Sequence, residues 1–459
     1  MGHEVVRIGC GAGFAGDRSD AAVPIVAELA AMGGPRFLIF ETLAERTLAL
    51  AQIEKRQNPQ RGASPALERL LRPILADCLR SGIRIVSNFG AANPRAGAAV
   101  IGALAAEAGF PDIRIAIVEG DDLTHDFGAE DFARRETGGD VLAERPAILS
   151  ANVYLGAREI ASGLDQGADV VITGRVADPS LVLGPLLHVF RWAEDDWDRL
   201  AAGTLAGHLL ECGAQVTGGY FADPGVKDVP GLDEVGYPIG EIDADGRVVV
   251  TKPAGTGGRV DRDTVVEQIL YEIHDPAAYL TPDVVLDLTE VEVAVIGRDR
   301  VAVTGARGHP RPDTLKVTVC VDSGSLAEAE ISYAGANATG RARLAIEVVL
   351  ARMAKRAPDL AIRADAIGVR SLFNDTAGSA LADAWPDARG EDVRVRFAAQ
   401  SDDPAALVLL LDEVEALYCA GPGGGGGVRR RVTPRLRSAS CLIERERVRP
   451  RVTVIGGPR

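Results

Sequence analysis

From residue 5 to 185, short apolar runs alternate with longer segments in which apolar residues recur at helical spacing. Five runs, at 5–10, 36–40, 83–87, 114–118 and 168–173, are almost continuously apolar, the pattern of strands covered on both faces. Between them lie AAVPIVAELAAMGG, ERTLALAQIEKRQ, PALERLLRPILADCLRSG, PRAGAAVIGALAAEAGF and ANVYLGAREIASGLDQG, whose small and aliphatic residues predict helices packed on that sheet. The fold class expected is α/β: a parallel sheet with flanking helices, open and doubly wound in preference to a closed barrel. Ser19-Asp20 reads as the N-cap of the first helix, and Asp178-Pro179 as a helix start with Asp178 as cap.

After about residue 190 the rhythm changes. An acidic loop and a helix lead into GYFADPGVKDVPGLDEVGYPIGEIDADG, which is rich in Gly, Pro and Asp as connecting segments are. Thr264-x-x-Glu267 has capping-box spacing ahead of a helical run, residues 284–335 are β-rich, and a helix is expected over 337–356. These features predict a parallel α/β domain over 1–225 followed by an α+β second domain over 226–459 that carries the glycine-rich turns.

Composition narrows the class. A chain of 459 residues exceeds what one core usually serves, and 47% hydrophobic with 25% charged residues is globular usage. The formal net charge of −15 repels phosphate backbones and anionic lipid, so neither nucleic acid nor a membrane is expected as a partner. The opening MGHEVVRIGC lacks an export signal, no apolar stretch reaches the ~20 residues of a membrane span, and a cytoplasmic protein is expected. Six scattered cysteines without CxxC pairs predict reduced thiols and no zinc cluster.

Ligands of such folds sit just past the carboxyl ends of the strands. Gly11-x-Gly13-x-x-Gly16 after the first strand has the glycine pattern of a dinucleotide site, which makes an NAD- or FAD-dependent oxidoreductase the first alternative. A dinucleotide demands a helix starting near the second glycine, yet the cap signal comes later, and Asp17 would oppose the phosphates. A tight turn that leaves Asp17 and Arg18 to line a site accounts for the same glycines.

The other strand ends supply Glu41, Asn88 and Asn93, the carboxylates Glu119, Asp121 and Asp122, and Arg175. Clustered carboxylates share a proton or hold Mg²⁺, which makes Glu119, Asp121 and Asp122 the expected proton carriers, with Asn88 and Asn93 holding polar groups. Arg175, expected to be exposed just past its strand, and Arg18 are expected to bind an acidic end in a bidentate fork. Asp17 and Glu41 complete the substrate-binding set. Lys252 with Gly255, Thr256, Gly257 and Gly258 offers a phosphate nest with a basic partner; the alternative is a flexible turn. His208 with Glu211 or Cys212 has one-face helical spacing for a metal, but a packed helix residue explains it as well. The five glycines at 423–427 followed by Arg429-Arg430-Arg431 read as an anion-binding offer or a mobile crossover.

IGCGAGFAGDR, FETLAERTLALAQ, GIRIVSNFGAANP, VEGDDL, GADVVITGRVADPSL, GHLLECGAQVTGGYFADPG, TKPAGTGGRVDRDTVVEQILYEIHDPAAYLTPDV and GPGGGGGVRR together resemble the acyclic terpene utilisation family, from residue 6 to about 450. The resemblance implies catabolism of citronellol- and geraniol-type terpenoids, whose later steps run on CoA thioesters, and assigns few chemical roles. Some relatives carry a further C-terminal domain of roughly a hundred residues, a common domain size; this chain is expected to lack it and to find it in a separate small subunit.

The resulting expectation is a cytoplasmic, homo-oligomeric enzyme acting by hydratase-type acid–base chemistry on a branched or unsaturated acyl compound, an acyl-CoA by preference. It is expected to need no cofactor, with Mg²⁺ or another divalent metal as the alternative. A non-catalytic binding or assembly subunit is the second alternative.

Overall fold

The computed structural model describes residues 4–144 and 146–457. All five apolar runs become parallel strands: Val5–Ala12 (β1), Arg36–Phe40 (β2), Arg84–Ser87 (β3), Ile115–Glu119 (β4) and Val170–Thr173 (β5). They lie side by side in the order β1-β2-β3-β5-β4. Residues 83, 114, 168 and 169 lie just outside the ladders, a fraying of boundaries expected where hydrogen bonds define the ends.

Helices cover both faces. A Cβ on Gly97 of helix Pro94–Glu107 would meet Ile172, whereas one on Gly163 of helix Arg158–Asp165 would meet Ala116 and Val171. Neighbouring residues of a strand point to opposite sides, so these helices flank β5 from its two faces. The first face is closed by Ala22–Ala31 (α1), where Ile25 and Leu29 pack against Gly9 of β1 and Ala22 lies beside Gly11.

The sheet is mixed, which corrects the expectation of a purely parallel one. Beyond β1 it continues through antiparallel strands Ile239–Asp243, Val248–Thr251, Arg300–Thr304 and Glu292–Gly297, and Arg451–Ile455 pairs antiparallel with β4, making ten strands. The strands at 239–251 and 292–304 therefore extend the first sheet, while Tyr279–Leu280, Val285–Asp287 and Arg307–His309 pair in a small antiparallel sheet of their own. The apolar runs there were legible, but their partner, β1, lies more than two hundred residues away in sequence.

The chain forms two compact units, one of residues 1–320 with 438–459 and one of residues 321–437. The boundary expected at 225 falls inside the first. In the second, antiparallel strands Ile362–Ile367 and Asp392–Ser401 and the adjoining part of Thr314–Ala334 carry helices Ala338–Arg356 and Pro404–Glu415, with Ile331, Val349, Phe397 and Leu410 in the core. The glycine run belongs here: Arg341 donates to the Gly423 carbonyl, Gly426 opens strand Gly426–Glu444, and Arg430 and Arg431 pair with Asp412 and Glu328.

Four local expectations change. ANVY closes a strand, Ile148–Val153, and the helix behind it is shorter, Arg158–Asp165. PALERLLRPILADCLRSG splits into helices Leu67–Leu71 and Leu75–Ser81 around Pro73, which has no amide proton to continue the first. Ser19 and Asp20 do not cap α1; its N-cap position is Ala21, without a side-chain bond. Helix Arg262–Leu270 is capped by Asp261, and Thr264 is the reciprocating third residue, so the box starts three residues earlier than the Thr264-x-x-Glu267 spacing suggests.

Candidate functional site at the strand ends

Two adjoining features stand at the carboxyl ends of β1, β2, β3 and β5. One is a buried polar network and the other a cleft beside the first glycine turn. They meet where the amide of Glu41, the residue after β2, donates to the carbonyl of Ala12, the last residue of β1, at 3.0 Å.

Glu41 is partly exposed, and its Oε1 accepts from Asn88 Nδ2 and from the Leu43 amide, both at 2.8 Å. Both bonds fall on Oε1, which leaves Oε2 without one among the described residues. Asn88 is oriented in turn by the Thr42 amide, which donates to Oδ1 at 2.8 Å. Burial pushes the Glu41 carboxyl up to about 7, with Glu211 adding repulsion, against the pull of Arg175, the Leu43 amide and Asn88.

Arg175 is fully buried, which corrects the expectation of an exposed anion-binding arginine. Its Nε donates to the Val176 carbonyl at 2.8 Å, one terminal nitrogen donates to the Leu43 carbonyl, and the other pairs with Asp178. Its guanidinium lies 4.5 Å from the centre of the Tyr154 ring. Asp178 is thereby a partner of Arg175 and makes no side-chain cap on helix Ser180–Phe190. With every guanidinium nitrogen bonded inside the chain, Arg175 ties the β2 and β5 loops together and supplies fixed positive charge beside Glu41.

The three carboxylates at the end of β4, Glu119 within it and Asp121 and Asp122 beyond it, separate. Glu119 is held by Arg95 in a bidentate pair at 2.9 and 2.6 Å. Asp121 is buried; its Oδ2 accepts from the Arg175 amide and from Asn152 Nδ2, each at 2.9 Å, and burial pushes it up to about 6 against those bonds. Asp122 accepts from Thr124 and from Gln52 and faces Lys55 at 3.6 Å; burial acts to raise it, and these partners outweigh that and hold it below the usual range. Among the described residues no group of three or more His, Cys, Asp or Glu is arranged to hold a metal ion. Asn93 is the N-cap of helix Pro94–Glu107, and its Nδ2 donates to the Pro59 and Arg61 carbonyls.

Lys252 and the 255–258 turn stand apart from this network. The buried Lys252 donates to the Thr256 carbonyl at 2.9 Å and faces Asp299 at 3.6 Å. Gly257 packs so closely on Gly231 that a Cβ would fall 1.8 Å from its carbonyl oxygen. The turn is backbone packing, and its lysine is already engaged. His208 is buried between the Ile269 carbonyl and Glu211, as a packed helix residue is. Cys10 is likewise buried, and burial pushes its thiol well up, away from nucleophilic character.

Sequence reasoning missed Tyr154 and Asn152, and gave no role to Glu45 in the segment after β2. The Tyr154 hydroxyl donates to Glu45 at 2.7 Å, and Lys316 lies 4.7 Å from the same ring. Burial pushes the Tyr154 phenol up to about 12. Reading ANVY as helix hid a sixth strand end; the apolar run Ile148–Val153 was the available signal.

In the cleft, Gly13 packs against the corner after helix Trp197–Leu210, where a Cβ would lie 2.2 Å from the Cys212 carbonyl carbon. Asp17 Oδ2 accepts from the amides of Gly13 and Phe14 at 2.7 and 3.2 Å, and α1 begins only at Ala22. The amides that a pyrophosphate would use are thus bonded to the chain's own carboxylate. The sequence model of the family described as acyclic terpene utilisation family protein AtuA matches residues 6–454. The chain belongs to the AtuA family. Membership implies a role in acyclic terpene utilisation. No curated protein and no solved structure matches this AtuA-family chain. No helix among the described residues is long and apolar enough to cross a membrane.

Proposed function

We propose that this AtuA-family protein is an acid–base enzyme that adds water to, or removes it from, a branched unsaturated acyl compound, presented as a CoA thioester, in the cytoplasm. Glu41 is the proton carrier. Its free Oε2, the locked geometry of Oε1 and a proton affinity raised towards neutrality suit a group that must both give and take a proton near pH 7. In hydration, water adds its oxygen to the carbon β to the carbonyl, the α-carbon takes a proton, and Glu41 carries one of the protons moved.

Arg175 and Asn88 are positioning residues, because they set the charge and orientation of Glu41 from within the fold. Asp121 holds the β4 end to the β5 end through the Arg175 amide. Within this reading the parallel strands form an open, doubly wound layer, supported by the helices on opposite faces of β5, and the site lies along its carboxyl edge.

The test is incubation of the full chain, alone and with the products of neighbouring genes, with branched C10 unsaturated acyl-CoA esters, read by mass spectrometry. A mass change of one water, reduced about 100-fold or more in Glu41→Gln, is expected from the usual contribution of a general acid–base group. Turnover that persists unchanged in Glu41→Gln refutes the assignment.

A further inference from the structure

In the second unit, helices Ala338–Arg356 and Pro404–Glu415 pack on one face of the sheet, the face that holds Val393, Val395 and Phe397. Side chains alternate along a strand, so Arg394 and Arg396 lie on the other face, where the strand register sets Glu330 and Asp365 beside Arg396. What this second face can bind depends on the charges it leaves over.

Strand Gly426–Glu444 supplies them. Arg429, Arg431, Arg435 and Arg437 stand two or four residues apart, which puts them on one face, and Arg431 identifies that face as the second one by donating from Nε to Glu328 at 2.7 Å. The strand on the outer side, Glu136–Thr137, pairs only with Cys441 and Ser440, so residues 426–437 have an open edge among the described residues.

The carboxylates of this face are already matched. Glu328 accepts from Arg396 and Arg431, Glu330 from Arg394, and Asp365 from Arg363 and Arg396. Arg429, Arg435 and Arg437 have no hydrogen-bond, ion-pair or ring partner among the described residues; Arg429 and Arg437 are exposed and Arg435 is partly so. A chain of net charge −15 thus keeps a row of positive charge unneutralised along one strand.

The row has a period. Alternate side chains of a strand recur about every 6.8 Å, and an extended peptide presents its own alternate side chains at the same interval. Position 433, in the middle of the row, is a threonine, so the row offers no aromatic ring on which a nucleobase could stack. Pro434 lacks an amide and interrupts any continuous strand pairing, which leaves recognition to the side chains.

We propose that this arginine row docks an extended acidic segment of a protein partner, with Asp or Glu at alternate positions facing Arg429, Arg435 and Arg437. It stands apart from the acid–base reading of Glu41, and neither depends on the other.

The experiment measures fluorescence anisotropy of labelled probes titrated with the full chain. The probes are an alternating glutamate–serine peptide of about ten residues, a peptide of the same composition with its glutamates in one block, an alternating lysine–serine peptide, and a deoxythymidine oligonucleotide of matching charge. The alternating glutamate peptide is expected to bind most tightly, less so as salt rises, about tenfold more weakly to the double variant Arg435→Ala with Arg437→Ala, and within about twofold of wild type to the corresponding lysine variant. Neither arginine has a partner in the fold, so both variants keep the wild-type circular dichroism spectrum and melting temperature. No binding of the alternating peptide at about 1 mM protein, equal binding by wild type and the alanine variant, equal binding of the block peptide, or tighter binding of the oligonucleotide overturns the proposal.

Discussion

A carboxyl group with one oxygen locked and the other free is an unusual object, and Glu41 owes both properties to its neighbours. Asn88 and the Leu43 amide prevent rotation, while partial burial raises its proton affinity. The effect on stability has a definite sign. A carboxyl raised from 4.5 to about 7 stabilises the fold fully below pH 4.5, and that contribution is lost as pH rises through 7. Asp121, raised from 3.8 to about 6, acts in the same direction over a lower window. The melting temperature of the wild type relative to Glu41→Gln should therefore fall between pH 5 and pH 8, measured by scanning fluorimetry across that range; a difference that grows with pH contradicts the burial argument. The small residue behind Asp121 matters as well. A Cβ on Gly174 would lie 2.4 Å from Asp121 Oδ1, so Gly174→Ala should destabilise by about 1–3 kcal/mol in denaturant titration, the range for overpacking a tight site.

At the scale of elements, the two asparagines after β3 do different work. Asn93 accepts the Ala96 amide at 3.2 Å as a helix cap, so Asn93→Ala should cost about 1 kcal/mol of stability and leave turnover per folded molecule intact. Asn88 orients the proton carrier, so Asn88→Ala should shift the pH profile of the reaction, a change that a purely structural role would not produce. The strands, most helices and the strand-end positions of Glu41, Asn88 and Arg175 were legible, because apolar periodicity and turn residues are local signals. Which polar residues would converge was not. Glu119 found Arg95 and Lys252 found Thr256, and neither pairing is encoded in spacing along the chain.

For the whole molecule, residues 321–437 have their own core, built from Ala327 through Leu417, while the first unit buries a larger one around β1, β2 and β3. Two cores of different composition should unfold in more than one step, and calorimetry should show a total enthalpy above the van't Hoff value of the main transition. The amino-acid sequence by itself determined the α/β class, the rank of parallel strands, the acidic character and the family, since each depends on pattern or composition within short windows. Only the tertiary structure decided that residues beyond 225 return to the first sheet, that Arg175 is interior, and that the amides of the glycine turn are bonded to Asp17. Those outcomes depend on partners brought together from distant segments, which are chosen by the global packing of backbone and side chains and leave no mark in local periodicity.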